Sequence, residues 1–265
     1  MSPVTKYLFF VGNKRSGTSL LTKLLNLHSK IYISFEADTI WLLFQLTQGE
    51  LPKTFEKDDA IGLQHTLKHC PKDILEDVLS QPVAQQFTRI QLALMKKKWL
   101  YQKRFLFRSP QWLGDKKPVQ HGDPRLFDFI ESNFSECKYI HIIRNPNDVI
   151  QSMKKAVANW PTYPAYWRND DEILLAHWIE HEKRVERIRN TFPDRLLTIK
   201  YEDLCAQPSK HLSNAFSFLG LRSNKYIIWR AKKIIRPTKS KERIDVDQMI
   251  LTEALEAYGY ESISD

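Results

Sequence analysis

The 265-residue chain has little cysteine: Cys70, Cys137 and Cys205 are odd in number and far apart. With no CxxC spacing, they exclude a disulfide framework and a structural zinc site, and a reducing compartment is the expectation. No run of 18 apolar residues occurs, so no transmembrane helix is expected. The first residues lack a leader with a small-residue cleavage site, and a cytoplasmic location is expected. There is no internal repeat and no low-complexity tract. Nor is there an arginine-rich arm or an aromatic–basic stripe, so nucleic acid is not an expected partner. What is present is ordinary globular composition, 42% hydrophobic, with a net charge of +9. A basic balance favours anionic ligands without choosing among them.

Strand and helix patterns alternate along the chain. Tyr7–Val11 reads as a short, continuously apolar strand ended by Gly12, and Leu20, Leu21, Leu24, Leu25 and Leu27 then recur at helical spacing. Further strands are predicted at 31–33, 105–107, 139–143 and 196–200. Residues 114–118 read as a loop, and helices are predicted near 126–133, from 147, at 171–189, at 212–219 and within 246–259. Residues 39–100 read as an irregular helical insertion or lid in one domain spanning 1–265. The alternation predicts a three-layer α/β/α fold with a central, mostly parallel sheet. Such a sheet binds ligands beyond the carboxyl ends of its strands, and the polar clusters below all follow strands.

Gly12-Asn13-Lys14-Arg15-Ser16-Gly17-Thr18-Ser19 has the glycine spacing of a P-loop, whose amides and helix N-terminus cradle an anion. A nucleotide-hydrolysing P-loop needs Lys where this chain has Thr18; its positive charge sits within the loop, at Lys14 and Arg15. A singly charged sulfuryl group needs less compensation than a terminal phosphoryl group, and can do without magnesium. A P-loop kinase and an inactive nucleotide-binding homologue are the alternatives.

Two motifs together resemble the sulfotransferases that use 3′-phosphoadenosine-5′-phosphosulfate (PAPS). Lys14-Arg15-Ser16-Gly17-Thr18-Ser19 is similar to that family's loop for the 5′-phosphosulfate. Tyr139-Ile140-His141-Ile142-Ile143-Arg144, with Ser152 eight residues after Arg144, is similar to its 3′-phosphate site. Gly114–Pro118, Tyr201–Leu204 and Phe218–Leu221 are weaker matches in the same order. The resemblance implies PAPS as donor, adenosine 3′,5′-bisphosphate as product, no metal, and an acceptor bearing a hydroxyl group. Carbohydrate, lipid, small-molecule and protein-tyrosine acceptors all remain open, as does the oligomeric state.

An acceptor hydroxyl needs a base. Glu36 lies 21 residues after Arg15, past a helix and a strand, and so returns to the same sheet end. It matches the base position of the tyrosylprotein branch, although that branch has Arg where this chain has Asp38. The Lys-Thr-then-His segment of the cytosolic small-molecule enzymes is absent; His121 is the reserve candidate. Lys116 or Lys117 is expected to assist at the sulfuryl group or hold an acidic acceptor. The resemblance further implies Tyr201 at the adenine and one of Lys239, Lys241 and Arg243 at the 3′-phosphate. Two other patterns carry less. His177-Trp178-Ile179-Glu180-His181 fits the H-x-x-E-H zinc pattern but lies in a densely charged helix. Trp160, Tyr163, Tyr166 and Trp167 read as packing or as a substrate-lining loop.

Overall fold

The computed structural model describes residues 5–55, 61–102, 110–159, 170–238, 240 and 242–260. Strand β1 (Lys6–Val11) leads through the glycine loop into α1 (Thr18–Leu25) and β2 (Ile31–Phe35). Helices α2 (Thr39–Thr47), α3 (Ile61–His69), α4 (Lys72–Glu76) and α5 (Val83–Gln102) follow, where the sequence predicts a helical insertion. Next come β3 (Trp112–Lys116), α6 (Pro118–His121), α7 (Pro124–Asn133) and β4 (Lys138–Ile143). After α8 (Pro146–Asn159) and α9 (Asp171–Thr191) the chain enters β5 (Leu196–Lys200). It closes with α10 (Tyr201–Ala206), α11 (Pro208–Phe218), α12 (Lys225–Ile234) and α13 (Gln248–Ala257).

The sheet order is β2-β3-β1-β4-β5, with every pairing parallel. The central strand β1 is buried on both faces, which explains why its sequence is continuously apolar rather than alternating. Leu8 and Phe10 pack with Ile140, Ile142 and Ile199 against α1, α11 and α12. Phe9 and Val11 point the other way, into a core with α2, α3, α5 and α7. The helices between β2 and β3 therefore build one of the three layers. Among the described residues, no helix is long and apolar enough to cross a membrane.

One strand differs from the sequence reading. The segment 114–118, read as a loop, begins inside β3, where Gly114, Asp115 and Lys116 are buried; residues 105–107 lie outside the described residues. Polar residues at a strand's end mimic a loop, because a sequence pattern does not reveal the partners that satisfy them inside. The strand expected at 196–200 is β5, and Tyr201, Glu202 and Asp203 start α10 directly after it.

Phe9 anchors the aromatic side of the core, with ring centroids 5.6 Å from Phe87 and 5.2 Å from Phe134. Phe9→Ala is expected to lower stability by about 3–5 kcal/mol through lost burial and the cavity left behind. A urea titration will register this as a lower midpoint with an unchanged slope.

Candidate active site

The loop after β1 turns sharply. Gly17 caps α1 with φ of 99°, and a Cβ there would stand 2.4 Å from Tyr201 Cδ2, so the position demands glycine for both reasons. The first turn of α1 holds no acidic residue, leaving its amide dipoles uncompensated for an incoming anion. Ser16 is fully buried and its Oγ has no hydrogen-bond partner among the described residues. Thr18 is buried; Arg15 and Ser19 are exposed, and Lys14 is half-buried. Arg15 has φ of 64° and its Nε donates to Ser152 Oγ on α8 at 3.1 Å.

Arg144 leaves the end of β4 and lies almost wholly buried behind this loop. Its Nη1 donates to the Arg15 carbonyl at 3.4 Å, and Nη2 donates to Thr238 Oγ1 at 3.2 Å and to the Thr238 carbonyl. Asp148 Oδ2 stands 3.5 Å away, and the guanidinium carbon lies 4.5 Å from the Tyr201 ring centroid. Its Nε is buried with no hydrogen-bond partner among the described residues. Arg15, Ser152, Arg144 and Tyr201, which are far apart in sequence, thus form one connected group. Of the late basic candidates, Lys239 and Lys241 lie outside the described residues. The backbone carbonyl of Arg243 accepts from Gln151 Nε2 at 3.2 Å.

Glu36 follows β2 in a turn where it and Asp38 both have positive φ, 50° and 52°. Asp115, at the end of β3 and fully buried, holds this turn. It accepts from Ser34 Oγ at 2.8 Å, Ala37 N at 3.3 Å and Thr39 N at 3.1 Å. Thr66 Oγ1 of α3 also donates to the Ala37 carbonyl. Two ion pairs complete the arrangement. Lys116 Nζ contacts Glu36 Oε1, and Lys117 Nζ lies 2.8 Å from Asp38 Oδ1. The Glu36 side chain is 59% exposed and that of Lys116 only 2%, so the carboxylate is open to solvent while its cation lies behind it. Burial pulls the Lys116 ammonium below the usual lysine range, opposed by the charge of Glu36. Asp38 is a buried partner of Lys117 and Gln120.

The model of the Sulfotransferase family matches residues 8–225. The chain belongs to the sulfotransferase family. Among solved structures it is similar to the sulfotransferase domain of the curacin biosynthetic pathway, with TM-score 0.61, 18% identity, and coverage of 98% of this chain and 99% of that one. It is also similar to the sulfotransferase domain of the Synechococcus PCC 7002 olefin synthase (TM-score 0.59, 19% identity, 98% and 97% coverage). A third likeness is to a sulfotransferase from Alicyclobacillus acidocaldarius (TM-score 0.56, 16% identity, 96% and 91% coverage). At these identities the likeness is one of fold. No curated protein sequence matches the chain.

In this sulfotransferase, His121 is not at the open mouth of the sheet. It is fully buried under β1, with Nδ1 3.0 Å from the Phe10 carbonyl and its ring 5.2 Å from Phe9, and burial pushes its pKa down to about 4. Because a carbonyl only accepts, Nδ1 carries the proton. His181 of the H-x-x-E-H segment turns inward, with Nδ1 3.1 Å from Asn13 Oδ1, and burial likewise lowers its pKa to about 4. His177 stays at the surface, 44% exposed. Trp160, Tyr163, Tyr166 and Trp167 lie outside the described residues. The supporting roles of Asp115, Asn13 and Glu182 are not legible from their residue types. Asp115 left one faint trace, an acidic residue beside two lysines after a glycine; Asn13 and Glu182 pair across a separation of 169 residues and left none.

Two outcomes follow. His121 binds its proton more weakly when folded than the ordinary 6.5, so its contribution is complete above pH 6.5 and declines as pH falls toward 4. The full loss is about 3 kcal/mol. Denaturant titrations at pH 7 and 5 are expected to show a smaller pH slope for His121→Gln than for wild type. Asp115→Ala removes the acceptor for two backbone amides and a hydroxyl and is expected to destabilise by about 2–4 kcal/mol. Thermal unfolding measures that loss, and Asp115→Asn is expected to recover part of it.

Proposed function

We propose that this sulfotransferase moves a sulfuryl group from PAPS to an acceptor hydroxyl, with Glu36 as base. The observation that carries the proposal is the connected group formed by the loop, Arg15, Ser152 and Arg144, placed at the same sheet end as the exposed Glu36. The residues present fit a nucleotide with two anionic ends. Ser16 Oγ and Arg144 Nε are buried polar atoms with no hydrogen-bond partner among the described residues, one on each half of the group. Bound there, the donor supplies an activated sulfuryl group.

The chain's own residues do the rest. The loop amides, Lys14, Arg15 and the Thr18 and Ser19 hydroxyls hold the 5′-phosphosulfate and offset charge there. Arg144 and Ser152 hold the 3′-phosphate, and Tyr201, lying against the Arg144 guanidinium, packs on the adenine side. Charge compensation comes from fixed cations and amides, in keeping with a monoanionic sulfuryl group. Glu36 takes the proton of the acceptor hydroxyl, and Lys116 fixes the carboxylate's position. Lys117 holds Asp38 and so steadies the same turn. Of the two candidates, Glu36 is exposed and His121 fully buried, which supports Glu36 as the base.

Glu36→Gln is expected to reduce turnover by about 100-fold or more while leaving affinity for adenosine 3′,5′-bisphosphate unchanged. A radiolabelled sulfate-transfer assay against a panel of hydroxyl acceptors measures the first, and isothermal titration the second. Retained turnover in the variant removes Glu36 from the role of base.

A further inference from the structure

An anion-binding loop meets a physical difficulty. Its amides must stay aimed at the ligand, so they cannot be used to hold the loop together. Something else must fix the backbone of residues 13–16, which belong to no helix or strand. In this chain a buried side chain supplies that support. Asn13 is 1% exposed, and its Nδ2 donates to Glu182 Oε1 at 2.8 Å and to the Trp178 carbonyl at 3.1 Å. Both are acceptors, which fixes the orientation of the amide and makes Oδ1 the acceptor for His181 Nδ1 at 3.1 Å. The Asn13 side chain is therefore held by three partners, all on α9.

Glu182 reaches the loop a second way. Its Oε2 lies 3.0 Å from His141 Nε2, and both side chains are fully shielded from solvent. The His141 ring lies directly under Gly12: a Cβ on that glycine would stand 2.6 Å from His141 Cδ2. Thr198 Oγ1, 3.3 Å from Nδ1, steadies the other side of the ring. One carboxylate thus holds Asn13 by hydrogen bond and lies against the ring on which Gly12 rests. A carboxylate is an expensive group to bury, and apolar packing of equal volume would often stabilise a core as well. Its value here lies in specifying where the loop sits.

We infer that Glu182 is a positioning residue for the donor loop, acting through Asn13 and His141 to hold residues 12–17 in their anion-binding shape before ligand arrives. This inference rests on the PAPS reading for its ligand, but the loop's rigidity can be measured without any ligand.

The test compares wild type, Asn13→Ala, Glu182→Ala, Glu182→Gln and the Asn13→Ala/Glu182→Ala double variant. In nucleotide-free protein, amide hydrogen exchange of residues 12–17 is expected to quicken in both alanine variants, and less in Glu182→Gln, which keeps an acceptor for Asn13. In titrations with adenosine 3′,5′-bisphosphate each alanine variant is expected to bind about tenfold more weakly. The double variant is expected to lose no more than the worse single one, because both break one device. Unchanged exchange at residues 12–17 in Asn13→Ala overturns the inference, whether or not Glu182→Ala folds. So does a double variant whose losses multiply to about a hundredfold. If wild type fails to bind the nucleotide, the donor reading falls, and the exchange results still decide the role of Glu182.

Discussion

The loop between β1 and α1 keeps its shape because of what is packed under it. The Tyr201 ring fills the space where a side chain at Gly17 would be, and the backbone there adopts a left-handed turn. That contact ties the loop to the end of β5, and Arg144 from the end of β4 ties it further, through the Arg15 carbonyl and the face of Tyr201. A parallel sheet makes such a meeting possible, since all its strands end on one side. The burial of β1 on both faces fixes the place where the loop begins, and neighbouring strand ends bring its partners.

The second half of the site uses a different device. The Glu36 turn carries two non-glycine residues in the left-handed region, a conformation of real energetic cost. Asp115 meets that cost with hydrogen bonds to two backbone amides of the turn and the hydroxyl of Ser34, and the two lysines after it pair with Glu36 and Asp38. Residues 115–117 thus form one unit: a buried anion that shapes the turn and two cations that anchor its carboxylates. The outcome is an exposed carboxylate on a rigid support, the arrangement a general base needs.

Much of the first half was legible in the sequence. The apolar run before Gly12, the helical leucines after it, and the strand ending in Arg144 with Ser152 two helical turns on are local patterns, and the structure places them as expected. The second half was legible only in part. Glu36 follows from counting residues to the next strand end. Strand β3 was hidden because Gly114, Asp115 and Lys116 look like a polar loop, and their burial depends on partners near 34–39. His121 resembled a free site histidine for the same reason: burial is not written in a residue's type. Asn13 and Glu182 were beyond reach, since only the folded packing of α9 on the loop brings them together.

The claim that two phosphate-binding halves hold one nucleotide is tested most directly by comparing two ligands in two proteins. Isothermal titration of adenosine 3′,5′-bisphosphate and of adenosine 5′-phosphate, each with wild type and with Arg144→Ala, isolates the contribution of the 3′-phosphate. Wild type is expected to favour the bisphosphate by at least about tenfold, and Arg144→Ala to erase most of that preference. An equal preference in both proteins contradicts the assignment of Arg144 to the 3′-phosphate and, with it, the donor site as drawn.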